Sequence, residues 1–184
     1  MSDFLPVVLA VATVLSGEPG GTAPHVNRPA SVRDAHELLT AIDRPVRATS
    51  REIQELLARG MARSRTFAAL VAALDRSDVI VYVEANPRMP QKVAGRLLFG
   101  VASSGGPRYL RVQIAREAAK SSQIAAIAHE LQHALEVAGA PEVRDEAGLE
   151  RFYRRIGIRG ALERSYDTLA AQLAGRRVLL EVEG

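Results

Sequence analysis

One stretch constrains this chain more than any other: SSQIAAIAHELQHALEVAG, residues 121–139. It has no internal helix breaker, and its only charged residues are Glu130 and Glu136. The Ser121-Ser122 pair predicts an N-cap, and Gly139 followed by Pro141 predicts the C-terminus. A helix this poor in charge must be buried, so the rest of the chain has to fold around it. Ile124, Ile127, Leu131 and Leu135 form its apolar side, while Ala125, Ala126 and Gln132 leave space on the other. His129 and His133 are four residues apart and so share one face, one turn apart. Half of the chain's four histidines fall here. Burying a Glu and two His without partners is costly. A metal ion removes that cost, because this spacing lets both imidazoles bind one tetrahedral Zn²⁺, one ion per chain. Glu130 is turned about 100° round the helix from His129. It is therefore placed to flank the ion as a general base for water rather than to ligate it.

The remaining pattern is mixed. Val32, Ala35, Leu38, Leu39 and Ile42 recur at helical spacing as far as Pro45. Ser50 is placed to cap a helix carrying Ile53, Leu56 and Leu57, and Phe67, Leu70, Val71 and Leu74 predict another. Val79–Glu84 is a β-branched strand, with further strands at Gly95–Ala102 and Arg108–Ala115 joined by a Ser/Gly/Pro loop. In the last of these Tyr109, Arg111 and Gln113 alternate with Leu110, Val112 and Ile114, as in a strand with one wet face near a sheet edge. The expected fold class is α+β: N-terminal helices, a small three-stranded, mostly antiparallel sheet, the HExxH helix and C-terminal helices.

Composition narrows the function. With 184 residues the length suits one domain, expected over residues 32–184. The absence of cysteine excludes disulfides, thiolate zinc sites and a cysteine nucleophile. Net charge is only +3, and aromatic residues make up 4% with no Trp, which supplies little for stacking nucleic acid. The arginines between Arg144 and Arg164 are interleaved with Asp145, Glu146, Glu150 and Glu163, as on a solvated face, so no nucleic-acid partner is expected. The apolar run 5–15 is too short to span a bilayer but has the length of a signal-peptide core. Residues 1–17 are therefore read as a possible export signal and 18–31 as a Gly/Pro-rich linker. An exported, periplasmic or extracellular protein follows if that signal is cleaved, and a cytoplasmic one otherwise.

IAHELQHAL resembles the extended signature of the zincin metallopeptidases. Val79 to about Val178 is similar to small bacterial zincin-like proteins, including the YRRIG segment at 153–157 and GRRV at 175–178. The resemblance implies a zincin-like fold, a zinc metallopeptidase activity and a peptide or protein substrate. It also implies an edge strand before the active helix that takes extended substrate. That role falls on Arg108–Ala115, with Tyr109, Arg111 and Gln113 as contacts. The metzincin pattern is not met, because no histidine follows His133. The third ligand is then a carboxylate, with Glu142, Asp145, Glu146, Glu150, Glu163 and Asp167 as candidates; Glu136, one turn past His133, is too close in register. The segment Ala161–Gly175 reads as a helix with Leu162, Tyr166, Leu169 and Leu173 on one side and Glu163, Asp167, Ala170, Ala171 and Ala174 on another. Gluzincins draw the third carboxylate from a comparable helix, and the resemblance places it on Asp167. Tyr153, Tyr166 and the arginines of 151–159 are candidate donors to a reaction oxyanion. The alternative is a zincin-fold metal-binding module without turnover.

Overall fold

The structure, a computed structural model, describes residues 9–10, 44–90, 92–102, 105–159 and 165–184. The helix expected at 31–42, the linker and all of the proposed signal except Leu9–Ala10 lie outside them.

Among the described residues, five helices pack on a mixed sheet. Ser50 accepts a hydrogen bond from the Ile53 amide and starts α1, Arg51–Arg63. Ser64 ends α1 and caps α2, Arg65–Leu74, through the Phe67 amide. Both are the side-chain caps that Ser favours. Glu181 holds this corner from the far end of the chain, accepting from the Ser64 and Thr66 hydroxyls and the Thr66 amide. The strands are β1 (Leu9–Ala10), β2 (Val46–Ala48), β3 (Val79–Asn86), β4 (Gly95–Ala102) and β5 (Arg108–Ala115). β4 and β5 occupy the ranges expected of them, and β3 runs two residues beyond the expected Val79–Glu84.

Their arrangement differs from expectation. Among the described residues the sheet has five strands in the order β1-β4-β5-β3-β2, not three. β4 and β5 are antiparallel, but β5 is parallel to β3, from Val79↔Arg108 to Asn86↔Ala115, and β2 is parallel to β3. The hairpin therefore folds back so that β5 slots between β4 and β3. Arg108–Ala115 is a central strand with both edges hydrogen-bonded, not an edge. β1 pairs with the outer side of β4, Leu9↔Leu97 and Ala10↔Arg96.

The HExxH segment is α3, Lys120–Ala138. It begins two residues earlier than a cap at Ser121 implies: Ala119 occupies the cap position without a side-chain bond, and the Ser121 hydroxyl donates to Glu183 instead. Ile124, Ile127, Ala128, Leu131 and Ala134 face Val81, Val83, Leu110, Val112 and Ile114 of the sheet in one continuous core. α4 spans Glu146–Ile156, the short pair β6 (Ile158–Arg159) and β7 (Tyr166–Asp167) follows, and α5 is Leu169–Glu183. α5 packs against α3 more extensively than any other helix does. At Gly175 an added Cβ would stand 3.2 Å from the Ala125 carbonyl oxygen and 3.3 Å from His129 Cβ, so glycine sets the closeness of that approach.

The C-terminus of α3 is held by Arg108, whose side chain is fully buried. Its Nη1 donates to the carbonyls of Val137 and Ala140, at 2.7 Å each, and Nη2 to that of Ala138 at 3.2 Å. Nε and Nη2 pair with the two Asp78 oxygens at 2.9 and 2.6 Å. The last carbonyls of a helix lack helical donors, and a guanidinium supplies several at once. This bolts the end of α3 to β5.

Candidate metal centre

His129 and His133 project from the buried middle of α3, at 2% and 0% exposure. Their Nε2 atoms lie 3.1 Å apart. Asp167 Oδ1 is 3.1 Å from His129 Nε2 and 3.6 Å from His133 Nε2. A tetrahedron with arms of about 2.0–2.1 Å has an edge of about 3.3–3.4 Å, and the three observed separations bracket it. These three residues form the metal-competent group among the described residues.

Asp167 reaches the site differently from expectation. It is not on a helix. It sits on β7, paired with Ile158, immediately before Thr168, whose hydroxyl caps α5 through the Ala171 amide. Residues 165–167 are thus not part of the helix expected there, and Leu169 and Leu173, expected in an apolar stripe, are exposed. Asp167 is itself oriented, with Oδ1 accepting from the Thr168 amide at 2.7 Å and Oδ2 from the Gln172 amide nitrogen at 2.9 Å. Of the other acids considered, Glu163 lies outside the described residues. Glu142 pairs with Arg155, Asp145 caps α4 through the Gly148 amide, and Glu146 and Glu150 belong to α4. None of these four is in the metal-competent group.

Glu136 is outside the metal-competent group but hydrogen-bonded to it. Its Oε2 lies 2.9 Å from His133 Nδ1 and accepts from the Tyr153 hydroxyl at 3.1 Å, while Oε1 accepts from the Thr168 hydroxyl at 2.6 Å. Tyr153 is fully buried and its hydroxyl also contacts the His133 carbonyl at 3.0 Å. That commits it to this network rather than to a reaction oxyanion.

Glu130 is wholly buried, and neither carboxylate oxygen has a hydrogen-bond partner among the described residues. Burial pushes its pKa up to about 8. It lies against β4 at Gly95, where a Cβ would be 3.0 Å from Glu130 Oε1. Burial opposes charge on His133, but hydrogen bonds to Asp167 and Glu136 outweigh it and hold its pKa up at about 9. His129 is pushed down, mainly by burial. Asp167 is held far below the usual carboxylate range, the two histidines outweighing its own burial. Carboxylates and imidazoles crowded in this way carry a charge pattern that a divalent cation satisfies.

Tyr109, Arg111 and Gln113 are not brought to this site. They alternate with the core-facing residues of β5 and so occupy the sheet face away from α3. There Tyr109 stacks on Tyr82, Arg111 pairs with Glu84, and Gln113 bonds Glu84, Asn86 and Arg96. With both edges of β5 filled, their expected role in substrate binding is not supported. No helix among the described residues is long and apolar enough to cross a membrane. Compared with protein-family models, curated proteins and solved structures, the chain finds no match.

Proposed function

We propose that this chain is a zinc-dependent peptide-bond hydrolase of zincin type, with His129, His133 and Asp167 as ligands and Glu130 as general base. The observation that carries this reading is Glu130: a fully buried carboxylate with no hydrogen-bond partner, one residue from a ligand in a His/His/Asp triangle of tetrahedral dimensions. A stability role does not account for it, because a buried unpaired carboxyl group is costly.

Three ligands leave a position open, as in catalytic rather than structural zinc sites. When bound, the ion supplies Lewis acidity toward water and a carbonyl oxygen. The cation alongside also favours the ionised, proton-accepting form of Glu130. Glu130 then takes a proton from the attacking water and delivers it to the leaving amine. Extended substrate is assigned to β4 rather than β5. β4 runs past Glu130 at Gly95, and among the described residues its outer side is engaged by β1 only at Arg96 and Leu97. A strand with free amides and carbonyls on one side can take up a peptide by β-augmentation.

One observation favours a binding module without turnover: the hydroxyl of Tyr153 is already engaged. Elemental analysis and peptide hydrolysis separate the two readings. The expected result is about one zinc per chain, lost in His133→Ala and Asp167→Ala, with hydrolysis abolished and zinc kept in Glu130→Ala. Zinc without hydrolysis of any peptide in a broad library selects the binding module. Absence of metal after zinc is supplied refutes both.

A further inference from the structure

Glu136 is a second acid in a helix otherwise almost free of charge, and the proposed chemistry does not use it. Its side chain is 13% exposed, and three groups converge on its two oxygens: the His133 ring, the Tyr153 hydroxyl and the Thr168 hydroxyl. An ionised carboxylate only accepts hydrogen bonds, so the proton between it and His133 belongs to Nδ1. Nε2 of a neutral His133 is then a bare lone pair, and Nε2 is the atom that faces His129 Nε2 and Asp167 Oδ1. Thr168 extends the connection. Its hydroxyl donates to Glu136, its amide donates to the Asp167 carboxylate, and it caps α5. One carboxylate therefore touches a histidine of the triangle directly and, through Thr168, the backbone that presents the aspartate.

We propose that Glu136 is a positioning residue for the metal site: it fixes His133 as the Nδ1-protonated tautomer and, through Thr168, buckles the Asp167 segment to α3, so that both ligand atoms meet at one point. The inference rests on the His129/His133/Asp167 reading. It departs from that reading in giving the fourth group a defined task outside the coordination sphere. Tyr153 serves the same end, since its hydroxyl spans Glu136 and the backbone of His133.

The test is zinc affinity, measured by competition with a chromophoric chelator on full-length native protein, Glu136→Gln and Glu136→Ala. Partners of metal-bound histidines change metal affinity by about 10–100-fold when removed. Glu136→Ala is expected to weaken zinc by that factor while still binding one equivalent at saturation. Glu136→Gln keeps the shape and one acceptor, should fall between native and Ala, and carries the test if the Ala variant does not fold. A second readout is spectroscopic. In zinc-loaded native protein, ¹H–¹⁵N spectra should show a protected ring N–H on His133 Nδ1. That resonance should exchange rapidly in Glu136→Ala. Affinities within about twofold of native, with the protected N–H retained, overturn the inference and leave the metal site standing; twofold is only about 0.4 kcal/mol. Loss of stoichiometric zinc at saturation in a folded Glu136→Ala variant overturns it differently, by making Glu136 a ligand. Native protein that binds no zinc removes the underlying reading as well.

Discussion

Removing the carboxylate of Asp78 provides a test of the fold that is independent of the metal. The Arg108 guanidinium is buried completely, whereas the Asp78 side chain is 40% exposed. Losing one partner of a buried pair costs about 3–5 kcal/mol, because the remaining charge is left uncompensated. Here two features reduce that figure. Water already reaches Asp78, and the carbonyls of Val137, Ala138 and Ala140 still face the cation. Asp78→Ala should therefore cost about 2 kcal/mol. Arg108→Met should cost more, about 3 kcal/mol, since it also strips charge-assisted donors from the end of α3, although Val137 and Ala140 each keep a backbone donor. The double variant should be no worse than Arg108→Met, because Asp78 without the arginine is an ordinary half-exposed acid. The coupling between the two is then about 2 kcal/mol. Urea unfolding followed by far-UV circular dichroism, with an unchanged slope, reads these differences as midpoint shifts. Additive losses, or an Asp78→Ala variant within about 0.5 kcal/mol of native, would refute the account of the α3 terminus.

Without metal, Glu130 with its pKa near 8 and His133 near 9 both bind protons more tightly than in the unfolded chain. Their contributions are complete below their ordinary values and are lost as pH rises through about 8 and about 9, so chelated protein should melt at lower temperature near pH 9 than near pH 6. Zinc-loaded protein should not lose stability over the acidic half of that range, because ligation requires neutral His133; equal pH profiles with and without chelator would contradict the assignment. Gly95→Val pushes on Glu130 Oε1 and should lower kcat by about 10-fold or more with zinc content unchanged; unchanged turnover would place Glu130 elsewhere. Gly175→Val forces α5 away from Ala125 and His129 and should destabilise by about 1–3 kcal/mol while weakening zinc, read by thermal melts with and without added metal.

Much of the local structure was legible because the signals were local. Ser50 at its cap, the β-branched run at Val79 and the ranges of β4 and β5 all depend on neighbours within a few residues. The order of strands depends on pairings far apart in sequence. Nothing in Arg108–Ala115 announces a parallel partner at Val79–Asn86, and β2, with three residues, is too short to register as a pattern. A wet face was therefore mistaken for a wet edge. At the site, His129, Glu130 and His133 follow from helical spacing, and Asp167 came from the family resemblance. Its backbone was misassigned because YDTLAAQLAG reads as unbroken helix unless Thr168 is recognised as a cap. Glu136 carried a signal that was not followed: an acid inside a nearly uncharged helix needs a partner for the same reason that Glu130 does.

The three side chains of the metal-competent group come from stretches of chain made at different times. α3 leaves the ribosome carrying both histidines and Glu130, but Asp167 follows only after α4, and the helix that packs on His129 comes after that. A nascent chain that has not yet reached β7 holds two thirds of the triangle and none of its α5 cover. The order of synthesis thus withholds the complete His/His/Asp triangle until β7 has been made, and its cover until α5 follows.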